Sequence, residues 1–218
     1  MSALDAPAHA LVSAGGLLLA GTTRAVAAVR PAAKPLHPRG EVTRGRLFRR
    51  GAVPATGVAW LDEPGEDDVL VRRSRAVGLP GSAPDIHGLA IRVPSPGGGH
   101  GDLLLASTGW GRVTRFVLTW SRSPRTRPMT TLLPYRTAHG PLLIGARAIG
   151  EDCFELAVAA PGGDWARFAD LRVSTLPAED QAVSFDPVLH RLPGLEQYDA
   201  VERLREPAYR SARASRSE

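Results

Sequence analysis

From Gly40 onward the chain alternates short apolar runs with breaks of Gly, Pro, Asp and Ser, a texture that predicts strands. The runs are Gly40 to Arg49, Val69 to Ser74, Gly88 to Val93, Asp102 to Ser107, Arg112 to Trp120, Leu142 to Ala148, Phe154 to Ala159 and Ala169 to Ser174. In the seventh, Phe154, Leu156 and Val158 alternate with Glu155 and Ala157, as on a strand with one buried face. Eight such segments, with turns such as Pro161-Gly162-Gly163-Asp164, are about what closes a small antiparallel barrel. Helices do not alternate with the runs, which argues against a parallel sheet. The expected fold is therefore mainly β, an antiparallel barrel with flanking helices. One flank is an N-terminal helical arm over residues 1–33, with Leu11, Leu18, Val26 and Val29 among alanines. The other is Asp199 to Arg216, following the loop Leu192-Pro193-Gly194, so the barrel unit is placed at 34–216.

Composition narrows the class. At 218 residues the chain makes one domain with a full core. The net charge of +5 rests almost wholly on arginine, Lys34 being the single lysine. These arginines are scattered rather than interleaved with aromatics, so no nucleic-acid partner is expected. The one cysteine, Cys153, forms no intrachain disulfide and sits in an alternating run, where a small buried side chain is the expectation. The apolar stretch Leu11 to Ala20 lacks a basic start and is broken at Thr22, Thr23 and Arg24. It predicts neither a secretory signal nor a membrane span, leaving a cytoplasmic location as the expectation.

Metal motifs of the Cys-x-x-Cys and His-Glu-x-x-His kinds are absent, as is a Gly-x-Ser-x-Gly elbow. The Gly97-Gly98-Gly99-His100-Gly101 loop precedes a strand and so lacks the helix N-terminus of a phosphate-binding loop. Glu66-Asp67-Asp68 reads as a solvated acidic turn, and His9, His87, His100, His139 and His190 as surface or satisfied core residues. His37 differs. It lies between Pro35 and Pro38, on a stiff, extended backbone that would hold an imidazole in one orientation. Arg205 and Tyr209 are four apart in the C-terminal helix, although Pro207 between them should kink that helix or start a new one. A phenol ionises near pH 10, and a guanidinium one turn away favours its anion. A His, a Ser on a strand and an Arg-x-x-x-Tyr pair are together the parts of a ferric haem site, with Tyr209 on the metal and His37 opposite it.

In this order the segments resemble the haem-dependent catalase superfamily, in particular its short, minimal members. Lys34-Pro35-Leu36-His37-Pro38-Arg39-Gly40 is similar to the family's His-containing entry to the first strand. Val71-Arg72-Arg73-Ser74 and then Ser82-Ala83-Pro84-Asp85-Ile86-His87-Gly88-Leu89-Ala90 resemble its next block. Asp102-Leu103-Leu104-Leu105-Ala106-Ser107-Thr108 resembles its third, and Arg205 with Tyr209 its last. The resemblance implies haem b as cofactor, His37 as the distal acid–base group, Ser74 as the residue that orients it, and Tyr209 as the axial ligand. Arg72, Lys34 and Arg216 are implied partners of the propionates. Where the family places an Asn beside the distal His this chain offers Ser107, which lacks an amide donor. The resemblance therefore implies peroxidase, peroxygenase or organic-hydroperoxide chemistry rather than true catalase activity. A peroxide and an organic substrate are the expected partners, and a homo-oligomer is allowed for. Two alternatives stay open: a haem carrier or sensor without turnover, and a haem-less barrel with another ligand or a hydrolytic activity.

Overall fold

Alternation along each long run sends one set of side chains into a shared interior and the other to an outer wall. The computed structural model describes residues 39–78, 83–95, 97–180 and 183–214, and the side chains at 39, 204, 207–209 and 211–214 lie outside that description. Its strands are β1 (Arg39–Arg49), β2 (Gly65–Arg75), β3 (His87–Pro94), β4 (His100–Ser107), β5 (Met129–Thr130), β6 (Tyr135–Thr137), β7 (Gly140–Ala148), β8 (Cys153–Ala159) and β9 (Ala166–Pro177). A one-turn helix, α1 (Ala59–Asp62), joins β1 to β2, and α2 (Asp199–Ala214) ends the described chain. The hydrogen-bonded order is β5-β4-β3-β2-β1-β9-β8-β7-β6, and β5 also pairs with β7. That last pairing closes an eight-stranded antiparallel barrel and leaves no unpaired edge in its wall, with β6 a short hairpin partner of β7 outside the ring.

The interior is filled by Leu47, Val69, Val71, Leu89, Ile91, Leu103, Leu105, Ile144, Phe154, Leu156 and Leu171, all buried, with Trp60 and Leu192 packed into the same cluster. Arg49 at the end of β1 donates to Asp67 at 2.7 Å and to the carbonyls of Trp60 and Glu63, and the Trp60 indole N–H also donates to Asp67. This buried ion pair therefore pins α1 over one end of the barrel.

Seven of the eight predicted runs lie within strands of the barrel. The exception, the fifth run Arg112 to Trp120, forms a loop with a 3-10 turn at Thr114–Phe116, and the two-residue β5 takes its place in the wall. The glycines of Gly109-Trp110-Gly111 explain the difference. A Cβ at Gly109 would stand 2.2 Å from Thr114 Oγ1, so the chain folds back on itself where a strand would run straight. Glu66, Asp67 and Asp68 belong to β2 rather than to a solvated turn, because Arg49 and Arg46 across the strand pair neutralise Asp67 and Asp68. The C-terminal helix runs through Pro207 as one element instead of breaking there. Cys153 is half-buried at the start of β8. Among the described residues no helix is long and apolar enough to cross a membrane. The predicted arm at 1–33 lies outside the described residues.

Candidate functional site

The strand registers line up small residues into a belt around the outer wall. Gly40 pairs with Ser74, Ser74 with Gly88, and Gly88 with Ala106. The belt continues through Thr130, Gly145 and Ala157. All seven share the outer face, because their strand neighbours Val71, Leu89, Leu105, Met129, Ala146 and Leu156 fill the interior. A row of residues with little or no side chain lets a flat body or another chain segment come close to the backbone.

Two of the predicted site residues fall on the first half of this belt. Ser74 is in the row, and Arg72 lies two residues earlier on the same face, between Val42 of β1 and Ala90 of β3. The Arg72 guanidinium lies across Gly40, where a Cβ would come within 2.7 Å of it. Gly40 is thus a close-approach position that gives Arg72 room to turn along the wall. Val42 and Ala90 are buried at 1% and 8% exposure, so this part of the outer wall is a packed surface.

Ser107 is not brought to the row. The residue beside Gly88 is Ala106, and Ser107, one step on, turns into the barrel. Its Oγ donates to the Thr119 carbonyl at 2.7 Å and accepts the His87 N–H at 3.1 Å. The parity of β4 could have found this, since Asp102, Leu104 and Ala106 alternate against Leu103, Leu105 and Ser107.

At one mouth of the barrel, beside Ser74 and Gly88, a cleft of about 420 Å³ is lined by Arg73, Arg75, Arg122 and Arg125 against Glu41 and Glu151. Arg73 is tied to Asp152 at 2.8 Å and Arg125 to Glu151 at 3.2 Å. His87, on the same rim, is held by the Ser121 carbonyl at 3.0 Å from Nε2.

Of the remaining site residues, Lys34, His37 and Arg216 lie outside the described residues, as does the side chain of Tyr209. Arg205 is described: its Nη2 donates to the Thr131 carbonyl at 3.4 Å, and its charge lies near the buried Tyr135. Burial pushes the Tyr135 ionisation up, and the Arg205 charge offsets part of that rise. Arg191 binds Glu202 of α2 at 2.6 Å, so α2 is anchored to the segment that precedes it.

The other histidines divide. His87 and His139 are satisfied by backbone carbonyls, as expected. The rings of His100 and His190 lie with centroids 4.1 Å apart, tilted at 48°, beside the buried Asp102, a grouping that sequence reasoning missed. Asp102 and His190 are 88 positions apart, so no spacing motif could have signalled it.

No family model and no curated protein matches the chain. Among solved structures it is similar to the crystal structure of a fungal catalase, with a TM-score of 0.55 and 14% identity over 84% of this chain. The match takes in 59% of the catalase chain, so this chain spans about three-fifths of that neighbour's length. At that identity the likeness concerns the fold alone: the chain has a catalase-like antiparallel β-barrel.

Proposed function

We propose that this chain is a haem-dependent oxidoreductase that acts on peroxides, with the haem lying against the outer wall formed by β1 to β4. The observation that carries the reading is the small-residue row Gly40–Ser74–Gly88–Ala106 with Arg72 on the same face. A macrocycle needs a flat, apolar approach and cations for its two carboxylates. The row together with the half-buried Leu104 supplies the first, and Arg72 supplies one of the second. The catalase-like barrel supports the same choice.

In this reading Tyr209 would ligate the haem iron, Arg72, Lys34 and Arg216 would hold the propionates, and Arg205 would favour the Tyr209 phenolate over the phenol. His37 precedes Gly40 by three residues, and Gly40 pairs with Ser74, so the chain enters the belt beside the residue proposed to orient the imidazole. Bound haem would supply the redox chemistry of O–O cleavage. His37 takes the proton from one peroxide oxygen and delivers it to the departing one, which leaves as water or an alcohol. Ala106 offers no donor to this row and Ser107 faces inward, so hydrogen peroxide meets one positioned polar group where disproportionation needs two. A bulky hydroperoxide regains binding energy by burying its alkyl part, at about 25 cal/mol per Å².

The test is turnover of the haemin-loaded protein. An organic hydroperoxide with a reducing co-substrate should be consumed faster than hydrogen peroxide is disproportionated, and Ala106→Asn should raise oxygen evolution. A haem-loaded protein that turns over neither peroxide would be a carrier or sensor instead, and oxygen evolution as brisk as a full-length catalase's would refute the substrate preference.

A further inference from the structure

Asp102 and His100 stand about 13 and 20 Å along β4 from the belt, four and six strand steps from Ala106, with His190 beside them. Their ligand-capable atoms all lie within 4.8 Å of one another. Asp102 is fully buried, and Arg92 grips it bidentately, Nε to Oδ1 at 2.7 Å and Nη2 to Oδ2 at 2.8 Å. Its Oδ2 also accepts the Asp186 N–H at 2.7 Å and faces His190 Nδ1 at 3.3 Å. His100 Nε2 is buried with no hydrogen-bond partner among the described residues.

An orphaned ring nitrogen in a polar cluster is a cost unless something meets it. We propose that His100, Asp102 and His190 form a binding site for a divalent transition-metal ion of the zinc class, clipping the β3–β4 hairpin to the segment that leads into α2.

The geometry fits that class. Two ligands about 2.05 Å from a tetrahedral ion stand about 3.3 Å apart, which is the His190 Nδ1 to Asp102 Oδ2 separation. Two imidazoles and one carboxylate are a donor set for zinc, copper or nickel rather than for calcium or magnesium, and they leave a fourth position for water. The donors from Arg92 and Asp186 on Asp102 are of the kind that orient ligating carboxylates. His100 must close the remaining gap, and it follows Gly97, Gly98 and Gly99, all at positive φ with open space around them, so the hairpin can give. The consequence is mechanical. Asp102 N–H already bonds the His190 carbonyl at 3.0 Å, and Arg191 holds Glu202 of α2, so an ion here would fix the approach to the C-terminal helix.

The test is zinc binding by the tag-free full chain after chelator treatment, read by competition against a chromophoric chelator and by metal content after gel filtration. One zinc per chain is expected, with an affinity weakened in His100→Gln and in His190→Gln by at least the about 10- to 100-fold that loss of an outer-shell partner costs, and unchanged in His139→Gln. The wild-type melting temperature should rise with zinc while that of His190→Gln does not. His190 is partly exposed, so its variant keeps the fold even if His100→Gln does not. A wild type that binds no zinc, or a His190→Gln variant that binds it equally well, would overturn the proposal.

Discussion

The belt of small residues runs through both halves of the barrel wall, and the two halves use it differently. On β7 the belt residue is Gly145, and the chain covers it with its own indoles: a Cβ there would stand 2.7 Å from the Trp110 ring and 2.9 Å from that of Trp165. Those rings stack at 4.2 Å, and the Trp165 indole N–H donates to the Trp110 carbonyl. Arg115, 1% exposed, lies 4.6 Å over the Trp165 ring and donates to the carbonyls of Gly111 and Ala160. Its buried charge is thus met by carbonyl dipoles and an aromatic face rather than by a carboxylate. On β1 the belt residue is Gly40, and what meets it is the far end of a flexible guanidinium. Small residues alone therefore do not mark a ligand site. On one half they seat a rigid internal cover, and on the other they seat the guanidinium of Arg72.

The largest expected effect falls on the β1–β4 half. His37→Ala should keep haem but slow hydroperoxide turnover ~10²- to 10⁴-fold, the usual contribution of a positioned acid–base group, measured by stopped-flow with the loaded protein. Equal rates would remove His37 from the chemistry. On the covered half Trp165→Ala should cost about 3 kcal/mol of folding stability in urea titration while leaving haem uptake unchanged, because it strips the cover from Gly145 and the ring under Arg115. Lost haem uptake in that folded variant would show that the halves are not independent.

A sharper contrast comes from the same change made on both sides. Gly145→Ala should destabilise by about 1–3 kcal/mol, since two packed rings must move. Gly40→Ala should cost less than that, because only the Arg72 guanidinium has to swing away, yet it should weaken haem uptake by displacing that cation. The smallest effect lies off the belt. His100 is held neutral in the fold while its unfolded counterpart takes up a proton near pH 6.5, so the unfolded state binds more protons below that pH. Stability should fall as pH drops through about 6.5, and His100→Gln should flatten that part of the profile.

Much of the barrel was legible because its walls obey a period of two. Phe154, Leu156 and Val158 announce their face directly, and β1, β2, β3, β4, β7, β8 and β9 follow the same signal. The segment 112–120 misled because Val113, Phe116 and Val117 are apolar without a common strand face. Val113 is exposed and Val117 partly so, their apolarity serving a loop whose anchors are Arg115 and Thr114. β5 could not be read, since two residues carry no period, although Met129 and Thr130 are what close the ring. For the site, Arg72 and Ser74 were legible as a pair because i and i+2 share a face. Ser107 is one residue out of step with them, and the alternation of Leu103 and Leu105 against Leu104 and Ala106 carried that signal. Arg205 was read against Tyr209 through helical spacing, and its hydrogen bond to the Thr131 carbonyl, 74 positions away, has no local signature.

Whether the β1–β4 half of the belt receives haem is read most directly by titration. Haemin titrated into the full chain, followed by absorption, should saturate at one equivalent with a spectrum that changes in Tyr209→Phe. Ala106→Leu, which places a side chain into the proposed face, should lose that stoichiometric uptake while Gly145→Ala keeps it in a folded protein. Wild type that takes up no haemin, or Ala106→Leu that binds it as tightly as wild type, would contradict the claim.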